Sequence, residues 1–123
     1  QVGPDEWLLI SKSNKIIDKL PDLKNKLSRV HSSVTELSDQ FQALYLSGPK
    51  TRKVLLKGCS IDLHQNIFLP KCCAQTLLGL AEVTLFCTAK NSFTLICRSS
   101  FANYVLDWLE DAAMEYGFKF IPN

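Results

Sequence analysis

The chain has 123 residues, enough for one domain with one core and too few for two. Hydrophobic residues make up 46% and charged residues 21%, the balance of an ordinary globular protein, and no apolar run approaches the ~18 residues that span a bilayer. The net charge of +2 is segregated: residues 1–49 carry six basic and six acidic side chains, 50–98 carry seven and two, and 99–123 carry one and four. That pattern is too mild to argue for nucleic acid by itself.

The chain opens on Gln1 and its only methionine is Met114, so a cut or processed part of a longer protein is expected, with no signal peptide in view. Residues 5–19 read as a first helix with Asp5 and Glu6 in its opening turn, where acidic groups suit the helix dipole. Pro21 then interrupts, and a new helix is expected from there.

That second helix carries the strongest pattern. Leu23, Leu27, Val30, Val34, Leu37, Phe41 and Leu44 follow at spacings of 4, 3, 4, 3, 4 and 3, an unbroken heptad stripe. Ser47, Gly48 and Pro49 end it. The expected helix is about 25 residues and roughly 37 Å long. Its flanking e and g positions hold Lys24, Lys26, His31, Ser33, Ser38 and Gln40, with no acidic partner for the lysines. A seam against another chain and a face packed on the same domain both fit such a stripe.

After Pro49, residues 51–57 and 60–64 read as strands and 70–80 as a short helix opened by Pro70. Residues 82–89 and 93–99 form the clearest hairpin. Val83, Leu85 and Cys87 share a face with Phe93, Leu95 and Cys97, and a three-residue loop of Lys90, Asn91 and Ser92 would set Leu85 opposite Cys97. In that register Cys87 and Cys97 are diagonal neighbours and stay reduced. Phe86 and Ile96 imply that the other face is partly covered too. Ser99 or Ser100 is expected to cap a last helix with an apolar face of Phe101, Tyr104, Val105, Trp108, Leu109, Ala112 and Tyr116, ended by Gly117. Residues 118–122 alternate and could add an edge strand.

The order ααββαββα defines an α+β fold: a small antiparallel sheet with packed helices behind a long heptad-patterned helix. The expected division is an N-terminal helical stalk or lid over 1–49 and an α/β head over 50–123. At the level of architecture alone, this arrangement resembles the coiled-coil-plus-head subunits of multi-protein assemblies, kinetochore complexes among them. No motif carries a family.

Few residues point to chemistry. Cys59, His64, Cys72 and Cys73 fall close together, but adjacent cysteines diverge on a helix and do not form the paired knuckles of a zinc site. No phosphate-binding, dinucleotide, nucleophile-elbow or zinc-protease motif occurs. The five cysteines, an odd number lying mostly in apolar runs, suit a reducing compartment, cytoplasmic or nuclear. The expectation is therefore a non-catalytic scaffold or adaptor module with no cofactor, no metal and no membrane contact. It would bind a protein partner, or itself, through Leu23, Leu27, Val30, Val34, Leu37, Phe41 and Leu44. The alternative is a nucleic-acid-associated domain using Lys50, Arg52, Lys53 and Lys57, and a third is a cysteine-dependent enzyme.

Overall fold

The computed structural model describes residues 2–11 and 15–121, which fall into two compact units: one within residues 3–38, and one from Asp39 onward together with Val2. The division falls after Ser38 and not at Pro49, because residues 41–47 form a strand bonded into the sheet of the second unit.

The first unit holds two short helices, α1 (Lys15–Asp18) and α2 (Leu20–Lys26), where one helix over 5–19 and a long heptad helix were expected. Lys12, Ser13 and Asn14 of the expected first helix lie outside the described residues, and residues 7–11 are not helical. Pro21 sits in the first turn of α2, as expected, and an exposed Asp22–Lys26 pair at 3.2 Å spans one turn. Such a pair contributes a few tenths of a kcal/mol.

The heptad helix stops at its second turn. Beyond Lys26 the chain enters Val30, Ser32, Ser33, Val34 and Thr35, a run of β-branched and hydroxyl residues with weak helix propensity. The Ser32 hydroxyl donates to the carbonyl oxygens of Val30 at 3.1 Å and of Leu27 at 3.4 Å, taking backbone acceptors that a helix would use. Residues 32–37 are neither helix nor strand, and no described residue of this unit is buried.

The second unit is built on a four-stranded antiparallel sheet of β1 (Phe41–Ser47), β2 (Cys73–Leu78), β3 (Ala81–Ala89) and β4 (Ser92–Arg98), in the order β1-β4-β3-β2. Two of its strands replace expected helices. In β1 the alternation of Gln42, Leu44 and Leu46 with Phe41, Ala43 and Tyr45 prevails over the heptad spacing that Phe41 and Leu44 also satisfy. In β2, Pro70 does not open a helix. Lys71 takes a left-handed φ of 77°, and the strand follows.

The reverse exchange occurs at 51–57, where a strand was expected and α3 (Thr51–Leu56) forms. Thr51, Val54 and Leu55 are its buried residues, a spacing of three and four that makes one helical face. Residues 60–64 form no strand. The Asp62 carboxylate accepts the His64 backbone N–H at 2.9 Å, and the Ile67 and Phe68 N–H groups both donate to the His64 carbonyl at 2.9 Å, closing a compact loop.

The β3–β4 hairpin forms with the expected faces but a different register. Leu85 pairs with Leu95, and Cys97 with Val83. The turn is the two residues Lys90 and Asn91, with a bulge between Cys87 and Ala89 absorbing the extra residue. A shift of two residues preserves every side chain's face, which is why the inward set still holds. Cys87 and Cys97 carry no disulfide and stand farther apart than in the expected register.

Residues 99–101 form a 3₁₀ turn that leads into α4 (Ala102–Ala113). No serine side chain caps that helix. Ser99 instead ties to the approach of β1, its N–H donating to the Gln40 carbonyl at 2.8 Å and its hydroxyl to that of Asp39 at 3.2 Å. Residues 118–121 add no strand, and Pro122 lies outside the described residues.

One face of the sheet carries the core. Val83, Leu85, Cys87, Phe93, Leu95 and Cys97 pack with Val54 and Leu55 of α3, with Val105, Leu109 and Ala112 of α4, and with Cys59, Leu63 and Phe68 of the intervening loop. Phe68 stacks on Phe93 with centroids 6.2 Å apart. Each such side chain contributes about 1.5–3 kcal/mol on burial. On the other face Thr84, Thr94 and Ile96 of the central strands are buried, whereas Tyr45 of β1 and Leu77 of β2 are exposed.

Candidate interaction surfaces

The seven residues expected to form one partner-binding stripe do not share an element. Leu23 lies on α2 and Leu27 caps it; Val30, 58% exposed, is in the following turn; Val34 and Leu37 are in the extended stretch. Phe41 and Leu44 are in β1, on opposite faces of the sheet, and Leu44 packs on the core. The coiled-coil seam, and with it the resemblance to coiled-coil-plus-head subunits, has no counterpart in the structure.

The basic cluster is largely committed to the domain's own backbone. Arg52 Nη1 donates to the carbonyls of Leu63 at 2.7 Å and Phe68 at 3.0 Å. Its Nη2 donates to the Lys90 carbonyl at 2.7 Å and to Cys87 Sγ at 3.6 Å, and its Nε donates to Lys90 at 3.0 Å. All five N–H donors of the guanidinium are thus engaged, and its Cζ lies 5.0 Å from the Phe93 ring centroid. The shallow recess beside it, lined by Gln65, Asn66, Leu69, Pro70 and Lys90, has no donor of Arg52 left for a ligand.

Lys57 is similarly held. Its ammonium donates to the Ala112 carbonyl at 2.7 Å near the C-terminal end of α4, pairs with Glu115, and lies 5.1 Å from the Tyr116 ring centroid. A cation there complements the helix dipole. The hydrogen bond from Lys57 holds the Glu115 carboxyl below the usual glutamate range. The Lys50 ammonium lies 5.9 Å from the centroid of the same Tyr116 ring, and Lys53 is exposed on α3.

Cys59, Cys87 and Cys97 are core residues, whereas Cys72 and Cys73 are half-buried. Burial pushes the Cys59 thiol up to about 11 and raises Cys97 and Cys73 above the ordinary 9.0. A nucleophilic cysteine needs the opposite shift. His64 is turned to its own loop, its Nδ1 accepting the Asn66 N–H at 3.1 Å. No group of three metal-ligating side chains comes together among the described residues.

A pH dependence follows from Cys59. The unfolded thiol ionises near 9 and the folded one near 11, so the folded state keeps a proton that the unfolded state has lost. This contribution is complete below pH 9 and is lost as pH rises through 11. We expect the urea midpoint to fall between pH 8.5 and 10.5, and to fall less in Cys59→Ala than in the parent. Equal falls in both would show that Cys59 does not carry the effect.

What the sequence reading missed is an apolar patch at the β2–β3 turn. Leu80 is 84% exposed, with Leu77 at 49% and Phe101 at 42% beside it. Together with Glu82 and Arg98 they line an open recess of about 380 Å³. The turn is held firmly: the Leu80 N–H donates to the Tyr104 hydroxyl at 3.0 Å, and Gly79 N–H to the Gly58 carbonyl at 3.3 Å. The sequence signal was Leu77-Leu78-Gly79-Leu80, where two leucines flank a buried one and a turn glycine.

A small α+β unit whose strongest cation braces its own loops, and whose most exposed leucine sits on a rigid turn, has the make-up of a subunit of a larger assembly. Residues 1–115 match the family model described as SoxG, the sarcosine oxidase gamma subunit family. The chain belongs to the sarcosine oxidase gamma subunit family. It is 34% identical over 115 residues to the sarcosine oxidase subunit gamma of Corynebacterium sp. (strain U-96), an alignment covering 94% of this chain and 55% of that protein. It is 32% identical over 115 residues to the subunit gamma of Arthrobacter sp, with 94% and 56% covered. Among solved structures it resembles a chain of the heterotetrameric sarcosine oxidase from Corynebacterium sp. U-96 in complex with pyrrole 2-carboxylate. The TM-score there is 0.87 at 32% identity, covering 98% of this chain and 61% of that one. The chain thus spans about half the length of the relatives it matches. No helix among the described residues is long and apolar enough to cross a membrane.

Proposed function

We propose that the chain acts as a docking subunit of a sarcosine oxidase heterotetramer and supplies no reacting group of its own. The observation that carries this reading is the match to the gamma-subunit family over nearly the whole chain. The committed Arg52 and the raised Cys59 thiol support the second half of it, because neither is poised for proton or group transfer. Leu23, Leu27, Val30, Val34 and Leu37 remain a proposed contact set, now as exposed and half-exposed side chains of short elements and not as a helical seam. The unbridged Cys59, Cys72, Cys87 and Cys97 support an intracellular setting, and the organisms of the relatives give no support to a nuclear one. No observation favours the nucleic-acid reading, since Arg52 and Lys57 are taken up by carbonyls and Glu115.

The test is reconstitution. The complete subunit containing this chain, mixed with the other sarcosine oxidase subunits of its own organism, should elute as one complex whose mass by light scattering includes one or more copies of it. Sarcosine oxidation by that complex should survive replacement of Cys59, Cys87 or His64 within about threefold, a change of under 1 kcal/mol in the barrier. Separate elution would refute the subunit role. A drop beyond about a hundredfold, near 3 kcal/mol, in a correctly assembled Cys or His variant would refute the non-catalytic one.

A further inference from the structure

We propose that Cys72 and Cys87 form a reversible dithiol site, which a low-molecular-weight disulfide such as oxidised glutathione converts to a cross-strand bridge. The site is a property of the folded chain and stands apart from the subunit reading above. Its geometry is set by the turn that leads into β2. The Cys72 N–H donates to the Leu69 carbonyl at 2.9 Å, Pro70 holds the second position, and Lys71 takes a φ of 77°, which together define a type II turn. The Lys71 N–H donates to the Cys87 carbonyl at 2.8 Å, and the Cys87 N–H donates to the Cys72 carbonyl at 2.9 Å. Lys71 and Cys72 thus stand against the single residue Cys87, a bulge whose first residue is left-handed. Cys72 continues the register in which Cys73 pairs with Phe86, so it lies directly opposite Cys87.

The two side chains share a face. Cys87 is part of the core, and Cys72 and Ala74, two residues apart, both pack against that core. Cys73, between them, takes the other face. Opposed residues tied by backbone hydrogen bonds have Cα atoms about 5.5 Å apart, inside the ~4.4–6.8 Å that a disulfide spans. Cys97 pairs instead with Val83, nearer the other end of β3, and Cys59 lies outside the sheet.

Exposure assigns the two roles. Cys72 is half-buried and within reach of a solute, whereas Cys87 is 2% exposed. Lys71, exposed beside Cys72, favours an anionic reagent, and glutathione disulfide is one. The Cys72 thiolate attacks one sulfur of the reagent, forming a mixed disulfide and expelling the first glutathione. Cys87 then attacks the Cys72 sulfur, the mixed bond breaks, and the second glutathione leaves. Arg52 Nη2, which donates to Cys87 Sγ at 3.6 Å, faces that sulfur as it becomes the attacking anion. The protein thiols give up two electrons and two protons, which end on the two glutathione thiols. The bridge ties the turn after the Arg52-braced loop to the sheet, and it restricts the unfolded chain between residues 72 and 87.

Treating the complete subunit containing this chain with excess oxidised glutathione tests the site. In the parent, peptide mapping should find Cys72 joined to Cys87 at least about tenfold more often than any other pairing of this chain's cysteines. Dithiothreitol should restore both thiols. In Cys87→Ala the second attack is lost, so a glutathione adduct should accumulate on Cys72. In Cys72→Ala, the buried Cys87 should take up glutathione at least about tenfold more slowly than Cys72 does in the first variant. The bridged parent should unfold at a urea midpoint at least about 1 M above the reduced parent. Circular dichroism checks that both variants keep the parent fold, and if either does not, mapping and urea unfolding of the parent decide alone. A bridge to a different cysteine, an adduct that persists on Cys72 in the parent, or an unchanged or lowered midpoint would overturn the site. None of these outcomes touches the subunit role.

Discussion

Replacing Arg52 with methionine is expected to destabilise the protein by about 3 kcal/mol, although the side chain is only half-buried and touches no ligand. Methionine keeps the aliphatic stem and removes all five donors at once. The carbonyls of Leu63, Phe68 and Lys90 lose their partner, and the first two belong to residues whose side chains are in the core, where water can replace the guanidinium only in part. At a denaturant slope of about 1.5 kcal/mol/M the urea midpoint falls about 2 M. Arg52→Lys should recover less than half of that, because one ammonium cannot span three carbonyls set around a planar fork. A midpoint within about 0.3 M of the parent in both variants would show that these bonds do not hold the loop to the sheet.

A methyl group at Gly58 is expected to cost about 2–3 kcal/mol. The added carbon would overlap the six-membered ring of Trp108, and Gly79 lies against the same indole, where a Cβ would stand 3.2 Å from Cδ1 and Nε1. The two glycines form a slot closed by the Gly79 N–H to Gly58 carbonyl bond, and α4 docks on the sheet by laying its tryptophan in that slot. Thermal denaturation of Gly58→Ala in the parent and in a Trp108→Leu background checks this. The penalty should shrink by at least half once the ring is gone, a coupling that a purely local backbone effect would not show. Equal penalties in both backgrounds would remove the slot from the account.

The parts of the fold legible in the sequence were those where only one periodicity fits. Val83-Thr84-Leu85-Phe86-Cys87 alternates and has no helical reading, so β3 and its partner were placed on the correct faces. Val105, Leu109 and Ala112 recur at helical spacing across α4, and they are its buried residues. Where two periodicities coincide the reading failed. Phe41 and Leu44 are three apart, as in a heptad, yet the strand FQALYLS alternates as well, and pairing with β4 decided between them. Val54-Leu55-Leu56 looks like an apolar strand, but only its first two residues are buried, on one helical face. Arg52 and Lys57 were read as exposed charges because nothing local shows that distant carbonyls wait for them. The Leu80 surface depended on the 70–80 segment being a strand and turn, and a helix reading hid it.

The order of strands has a consequence for synthesis. β4, the last strand to be made, lies between β1, the first, and β3. While the chain emerges from the ribosome, β2 and β3 can pair as soon as both are out, but β1 has no partner until Arg98 has been added. At about 5–20 residues per second, the fifty or so positions separating the end of β1 from the end of β4 take roughly 3–10 s to translate. For that interval the nascent protein carries Phe-Gln-Ala-Leu-Tyr-Leu-Ser, a seven-residue segment with no charge and no proline, whose only native mate does not yet exist. Early companions, whether a chaperone or another subunit already made, would find that segment open before the finished fold closes it on one side.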